Sequence, residues 1–210
     1  MLRLQFAIIP LSILFFFTSS CLVAGQVIKS GCCRTDIKYL SSVDIQAYKG
    51  SWFMQTRYPF WDDVNYRCHK TDYIPARSNV HMVSDTRIKK EDESEIVRTG
   101  RLTFLQDGQF TIEYDNADAL PFKYIILNIV YNEYAIIYTC EDLPPSLHAE
   151  YVWIQTRVPN PSQEVKNAYM AALNKQGFST KDLVPICQKN CPNYGKSVEQ
   201  HQSKRQRKSF

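Results

Sequence analysis

Six cysteines, Cys32, Cys33, Cys68, Cys140, Cys187 and Cys191, are the residues of this 210-residue chain with the most definite chemistry. In an oxidising compartment an even set pairs by default into three disulfides, in one of fifteen connectivities that spacing does not rank. Metal binding is a poor alternative. Cys187 and Cys191 lack the spacing of a two-residue ligand knuckle, and His69, His81, His148 and His201 are scattered. Catalysis by a thiolate needs an unpaired cysteine, and here all six can pair. The chain also lacks Gly-x-Ser-x-Gly, His-Glu-x-x-His and phosphate-loop motifs. What remains abundant is aromatic surface, from 13 Tyr, 11 Phe and 3 Trp. An apolar ring with a polar tip suits tyrosine to contact with amphipathic small molecules.

The first residues bear on compartment. Arg3 precedes an apolar run from Leu4 to Phe17, and Val23-Ala24-Gly25 offers small residues for cleavage, the pattern of a secretory signal over residues 1–25. The run falls short of the roughly 20 residues of a spanning helix, and no later stretch is long and apolar enough to cross a bilayer. Cys21 leaves with the signal. The formal charge of +4 is not evenly spread. Lys196, Lys204, Arg205, Arg207 and Lys208 against Glu199 make residues 196–210 a basic, solvated tail, and the body between is slightly acidic. No basic face is left to neutralise phosphates, which excludes nucleic acid as the partner of the folded domain. At 44% hydrophobic and 22% charged the composition is globular.

Between Gly50 and Arg157 the sequence is a succession of short segments of period two, rich in aromatic and β-branched residues. Strands are predicted at 52–58, 68–74, 80–87, 96–105, 109–114, 122–131, 134–140 and 151–157. Gln106-Asp107-Gly108 is a hairpin turn, because glycine takes the positive φ it requires. Leu102, Phe104, Phe110, Ile112 and Tyr114 form one apolar face of that hairpin. The segments around Tyr124 and Tyr134 are almost continuously apolar, so both their faces must be covered.

One helix supplies the cover. Asn160 is placed to cap it, with Pro161 at its first position and Gln163 reaching back. Val165, Ala168, Tyr169, Ala172 and Leu173 make a single apolar stripe, and Gly177 ends it. The fold expected is all-β: an eight-stranded antiparallel up-and-down barrel with one C-terminal α-helix packed outside. A two-sheet sandwich is the competing arrangement on pattern alone.

Gly50-Ser51-Trp52 at the start of the first strand, Tyr131-Asn132-Glu133-Tyr134 before the seventh and Arg157 at the end of the eighth stand in linked order. With Tyr138-Thr139-Cys140, Tyr151-Val152-Trp153-Ile154 and Cys191-Pro192, they make the chain resemble the lipocalins, in particular the apolipoprotein D, insecticyanin and bilin-binding group. The resemblance covers roughly residues 32–192, within a domain bounded at 26–195. One departure is plain: Ile129-Val130-Tyr131 stands where the family has Thr-Asp-Tyr.

The resemblance implies that Gly50, Trp52 and Arg157 form the closed end, a cation over an aromatic face. It implies disulfides from Cys32 or Cys33 to Cys140 and from Cys68 to Cys191, with the other of Cys32 and Cys33 left for Cys187. It also implies a cavity for one small ligand. With Trp52 facing inward, Met54, Thr56 and Tyr58 share its parity; Tyr124, Ile137, Thr139, Tyr151 and Trp153 complete the wall. His148 stands at the mouth, toward the ligand or on a surface loop. The function implied is a secreted, extracellular, non-enzymatic carrier of a tetrapyrrole (bilin), carotenoid, retinoid, sterol or fatty acid. No cofactor is required, though a bilin or other lipophile would be bound. A cell-surface receptor engaged by loops or tail is the alternative partner, and a lipocalin-type enzyme acting on its lipophile a more distant one.

Overall fold

Alternating side chains along each segment bury one face and wet the other, and in the structure those faces roll into a closed barrel. The structure is a computed structural model that describes residues 26–60, 65–115 and 123–192. The expected signal and basic tail lie outside the described residues. In chain order the elements are β1 (Val27–Ser30), α1 (Ile45–Tyr48), β2 (Gly50–Arg57), β3 (Tyr66–Arg77), β4 (Val80–Lys89), β5 (Glu95–Phe104), β6 (Gln109–Tyr114), β7 (Lys123–Val130), β8 (Tyr134–Leu143), β9 (Leu147–Thr156), α2 (Gln163–Lys175) and β10 (Val184–Pro185). Strands β2 to β9 pair in sequence order, all antiparallel, and β9 returns to β2 to close the ring of eight. Two short strands were not expected. β1 pairs with the first half of β9, from Val27 opposite Glu150 to Ser30 opposite Leu147, while β10 pairs with Thr56 and Arg57 of β2.

Two apolar clusters divide along the parity of the strands. Inside lie Tyr48, Trp52, Tyr73, Val83, Leu102, Phe104, Phe110, Ile126, Ala135 and Ile137. Outside, Ile136 and Tyr138 of β8 and Val152 and Ile154 of β9 meet Tyr169 and Leu173 of α2, which explains why β8 is apolar on both faces. The helix is capped by Ser162, whose hydroxyl accepts from Val165 N–H, rather than by Asn160; Pro161 therefore precedes the cap. Gly177, at φ +78°, ends it as expected. A second, four-residue helix, α1, is capped by Asp44 and lies under the barrel floor.

Gly108 is obligatory for packing as well as for the turn. At φ +65° it lies so close to the lead that a Cβ would fall 2.4 Å from Leu40 O. Cys33 joins Cys140, and Cys68 joins Cys191. The third bridge expected is absent: Cys32 and Cys187 are both unpaired and exposed. Their backbones are fixed at different places on the wall. Gly31 N–H donates to Ser146 O at the β8–β9 turn, whereas Ile186 N–H donates to Gln55 O and Cys187 O accepts from Cys68 N–H.

Candidate functional site

The interior is sealed at one end by rings and charge. Tyr48, Trp52, Tyr73 and Phe104 form the floor, with centroids 5.0 to 5.4 Å from Tyr48. Trp52 Nε1–H donates to Tyr48 O at 2.9 Å. Behind the indole, the Arg157 guanidinium carbon lies 3.8 Å from the ring centroid. Its N–H groups donate to Ala47 O, Lys49 O, Ser51 O and Tyr131 O, tying α1, β2 and the β7–β8 turn together. Gly50, at φ +98°, brings its backbone against this arginine; a Cβ there would sit 3.4 Å from Nη1. The guanidinium thus closes the barrel base as a hydrogen-bonded plug, a role lysine could not match with three donors on a point charge.

Above the floor an aromatic wall climbs one side. Phe110 stacks on Tyr124 at 5.2 Å, Tyr124 meets Trp153 edge-on at 5.6 Å, and Trp153 stacks on Tyr151 at 5.9 Å. Ile137 pairs with Trp153 and Thr139 with Tyr151, so both project inward beside them. Met54 pairs with Gln155, again on the inner side. Tyr114, Tyr124 and Trp153 pack on the inner cluster yet keep accessible surface, so the barrel is not filled to its mouth by its own side chains. Burial raises the phenols of Tyr48, Tyr73 and Tyr114, and carries Tyr124 to about 12, so all four stay protonated and can both donate and accept.

Three of the residues expected in the cavity are elsewhere. The register of β2 against β9 shifts between Met54 and Thr56, a β-bulge that reverses parity for the rest of the strand. Thr56 therefore pairs with Ile154 on the outside, donating its hydroxyl to Val184 O. Tyr58 belongs to the outer cluster, with its hydroxyl donating to Ser179 O. His148 is also on the outer wall, buried under β1, with Nδ1 2.9 Å from Gly31 O and Nε2 3.8 Å from the fully buried Glu150.

In exchange the interior holds a charged set that parity counting from Trp52 missed. Arg57 pairs with Trp153 and faces inward, fully buried, with Nη1–H donating to Tyr58 O. On β3 and β4, His69 Nε2 lies 2.5 Å from Asp85 Oδ1, Thr71 donates to the same oxygen at 3.1 Å, and Arg87 Nε is 3.8 Å from Oδ2. An ionised carboxylate only accepts, so His69 donates to it from Nε2. Arg87 stacks over Tyr66 at 4.6 Å, and Arg98 of β5, paired with Asp85, over Tyr114 at 4.0 Å. A sequence signal existed for part of this set: Thr71, Asp85 and Arg87 share the parity of Tyr73 and Val83, which apolar alternation alone marks as inward.

A family model described as a lipocalin-like domain matches residues 43–188. Among solved structures, apocrustacyanin C1 superposes with TM-score 0.68 at 22% identity, covering 79% of this chain and 93% of that one. Insecticyanin from the tobacco hornworm Manduca sexta gives 0.70 at 17% identity, over 77% of this chain and 89% of its own. The cockroach allergen Per a 4 gives 0.59 at 19%, over 76% and 96%. At these identities the likeness is one of fold.

Proposed function

Because the chain belongs to the lipocalin family, we propose that it reversibly binds and carries one small hydrophobic ligand inside the barrel, as a secreted protein rather than an enzyme. The observation that carries this reading is the wall of Tyr124, Trp153 and Tyr151, of which Tyr124 and Trp153 keep accessible surface, above a floor closed by Trp52 and Arg157. Enclosing about 300 Å² of apolar ligand surface at ~25 cal/mol/Å² is worth roughly 7 kcal/mol before the costs of association, enough for micromolar binding once a few polar groups fix orientation. Met54, Tyr124, Ile137, Thr139, Tyr151 and Trp153 are the contact residues in this reading. Tetrapyrroles, carotenoids, retinoids, sterols and fatty acids all fit it, and crustacyanin and insecticyanin are neighbours in fold.

Secretion is supported by the signal-like start and by two disulfides. The unpaired thiols of Cys32 and Cys187 are exposed on segments outside the barrel, which argues against a thiolate acting on an enclosed ligand. The test is titration of native protein with retinol, oleic acid and biliverdin while following tryptophan emission, paired with extraction and mass spectrometry of native material. Saturable quenching at micromolar ligand is expected, weakened by Trp153→Ala. No quenching by any of the three and no extractable lipophile would end the carrier reading.

A further inference from the structure

Between the sealed floor and the aromatic wall, one polar side chain of the interior is left incomplete. Gln155 lies on the inner face of β9, two residues below Trp153, and is only 4% exposed. Its Oε1 has no hydrogen-bond partner among the described residues. The amide is set beside the Tyr73 phenol, and hydrogen bonding between them works against the rise that burial imposes on that phenol. Beyond Tyr73 the floor begins, with the Tyr48 ring centroid 5.0 Å away. An amide oxygen held out of water without a donor is costly, so a wall that keeps one there points to a group that supplies the hydrogen.

The neighbours of Gln155 on the flanking strands suit the arrival of such a group from above. In register on one side is Ala135, the smallest side chain of the inner cluster, and on the other Met54, whose unbranched thioether adapts to what it packs on. Toward the mouth, Trp153 and Tyr124 keep accessible surface, so an apolar path leads down to the amide. The chemistry of the missing partner follows from the atom that lacks it. A carbonyl oxygen needs a donor; ionised carboxylates, ketones and ethers only accept, whereas a hydroxyl gives its hydrogen and brings no charge into the interior.

We propose that the ligand is an alcohol that enters hydroxyl first: its O–H donates to Gln155 Oε1 above the floor, and its apolar body lies along Trp153, Tyr124 and Tyr151. This rests on the carrier reading and narrows it to lipophiles that end in a hydroxyl, at the expense of fatty acids and of carotenoids without one. Two sources share the chemistry, a polyene alcohol such as retinol and a sterol.

The test compares each alcohol with its methyl ether, which keeps the acceptor oxygen and loses the donor, on the full-length secreted protein. Retinol and retinyl methyl ether form one arm, cholesterol and cholesteryl methyl ether the other, all read by displacement of N-phenyl-1-naphthylamine. In at least one arm the alcohol is expected to bind about tenfold or more tightly than the ether, because only the alcohol completes the buried amide; the arm that does so identifies the scaffold. Gln155→Met and Gln155→Leu, apolar at similar length, should both collapse the alcohol-to-ether ratio towards one, with circular dichroism and melting temperature checking their fold. The ratio in the variants separates the hydrogen bond from the bulk of the added methyl. Equal binding of alcohol and ether by the unmodified protein in both arms overturns the proposal while leaving the carrier reading intact, and so does a ratio unchanged in the folded variants. Binding of oleic acid or biliverdin with neither alcohol bound has the same meaning. If none of these molecules binds, both readings fall.

Discussion

Asp85 has its charge held by neighbours rather than by water. Burial alone would raise its pKa; the charges of His69 and Arg87 and the hydroxyl of Thr71 together outweigh that and keep it below the ordinary 3.8. A carboxyl depressed in the folded state stabilises the protein above the unfolded value, and the contribution is lost as pH falls through the folded one. Stability is therefore expected to fall below about pH 4, and urea melts of Asp85→Asn should show a flatter acid limb. The same substitution should cost roughly 3–5 kcal/mol at pH 7, since it takes a buried carboxylate away from the side chains of His69 and Arg87 packed against it. The opposite sign holds for Tyr48, Tyr73, Tyr114 and Tyr124. Their raised phenols stabilise the fold below pH 10 and stop doing so as alkalinity forces ionisation, so ultraviolet titration should find them silent until the protein unfolds.

Helix α2 contributes through few contacts, chiefly Tyr169 and Leu173, on β8 and β9. Leu173 is fully buried, so Leu173→Ala should cost about 2–5 kcal/mol by chemical denaturation, with ligand binding kept because the cavity lies on the other side of the wall. Elements of this kind were legible in the sequence, since the i, i+3, i+4 stripe and the doubly apolar strand next to it imply each other. The eight strands were legible for the same reason. What the pattern did not contain was the bulge at Gln55: a change of register is a backbone event with no residue type that announces it, and it moved Thr56 and Tyr58 out and Arg57 in. The cap passed from Asn160 to Ser162 because both are good caps and Pro161 tolerates either side of the boundary. β1 and β10 are shorter than any window in which alternation can be counted.

At the scale of the molecule, two covalent ties fasten the lead and the trailing segment to the wall, Cys33 to β8 and Cys191 to β3. With Cys32 and Cys187 exposed and unpaired, Ellman's reagent should titrate two thiols in native protein beginning at Gln26, and none after alkylation of those two. The barrel could be inferred rather than a sandwich because the covered strands needed an external helix; of the charged lining, Asp85 and Arg87 could be placed by their parity with Val83, but Arg57 could not, because the register shift of β2 reverses its side. β1 has a further consequence. β2 leaves β9 at Trp153, and among the described residues only Val27–Ser30 pair the outer edge of β9 from Leu147 to Glu150. Without those four residues the edge would present free N–H and C=O groups to any passing strand. A chain shortened to begin at Gly31 should still close its barrel, yet elute from a sizing column as concentration-dependent oligomers. The first strand is thus a guard against self-association.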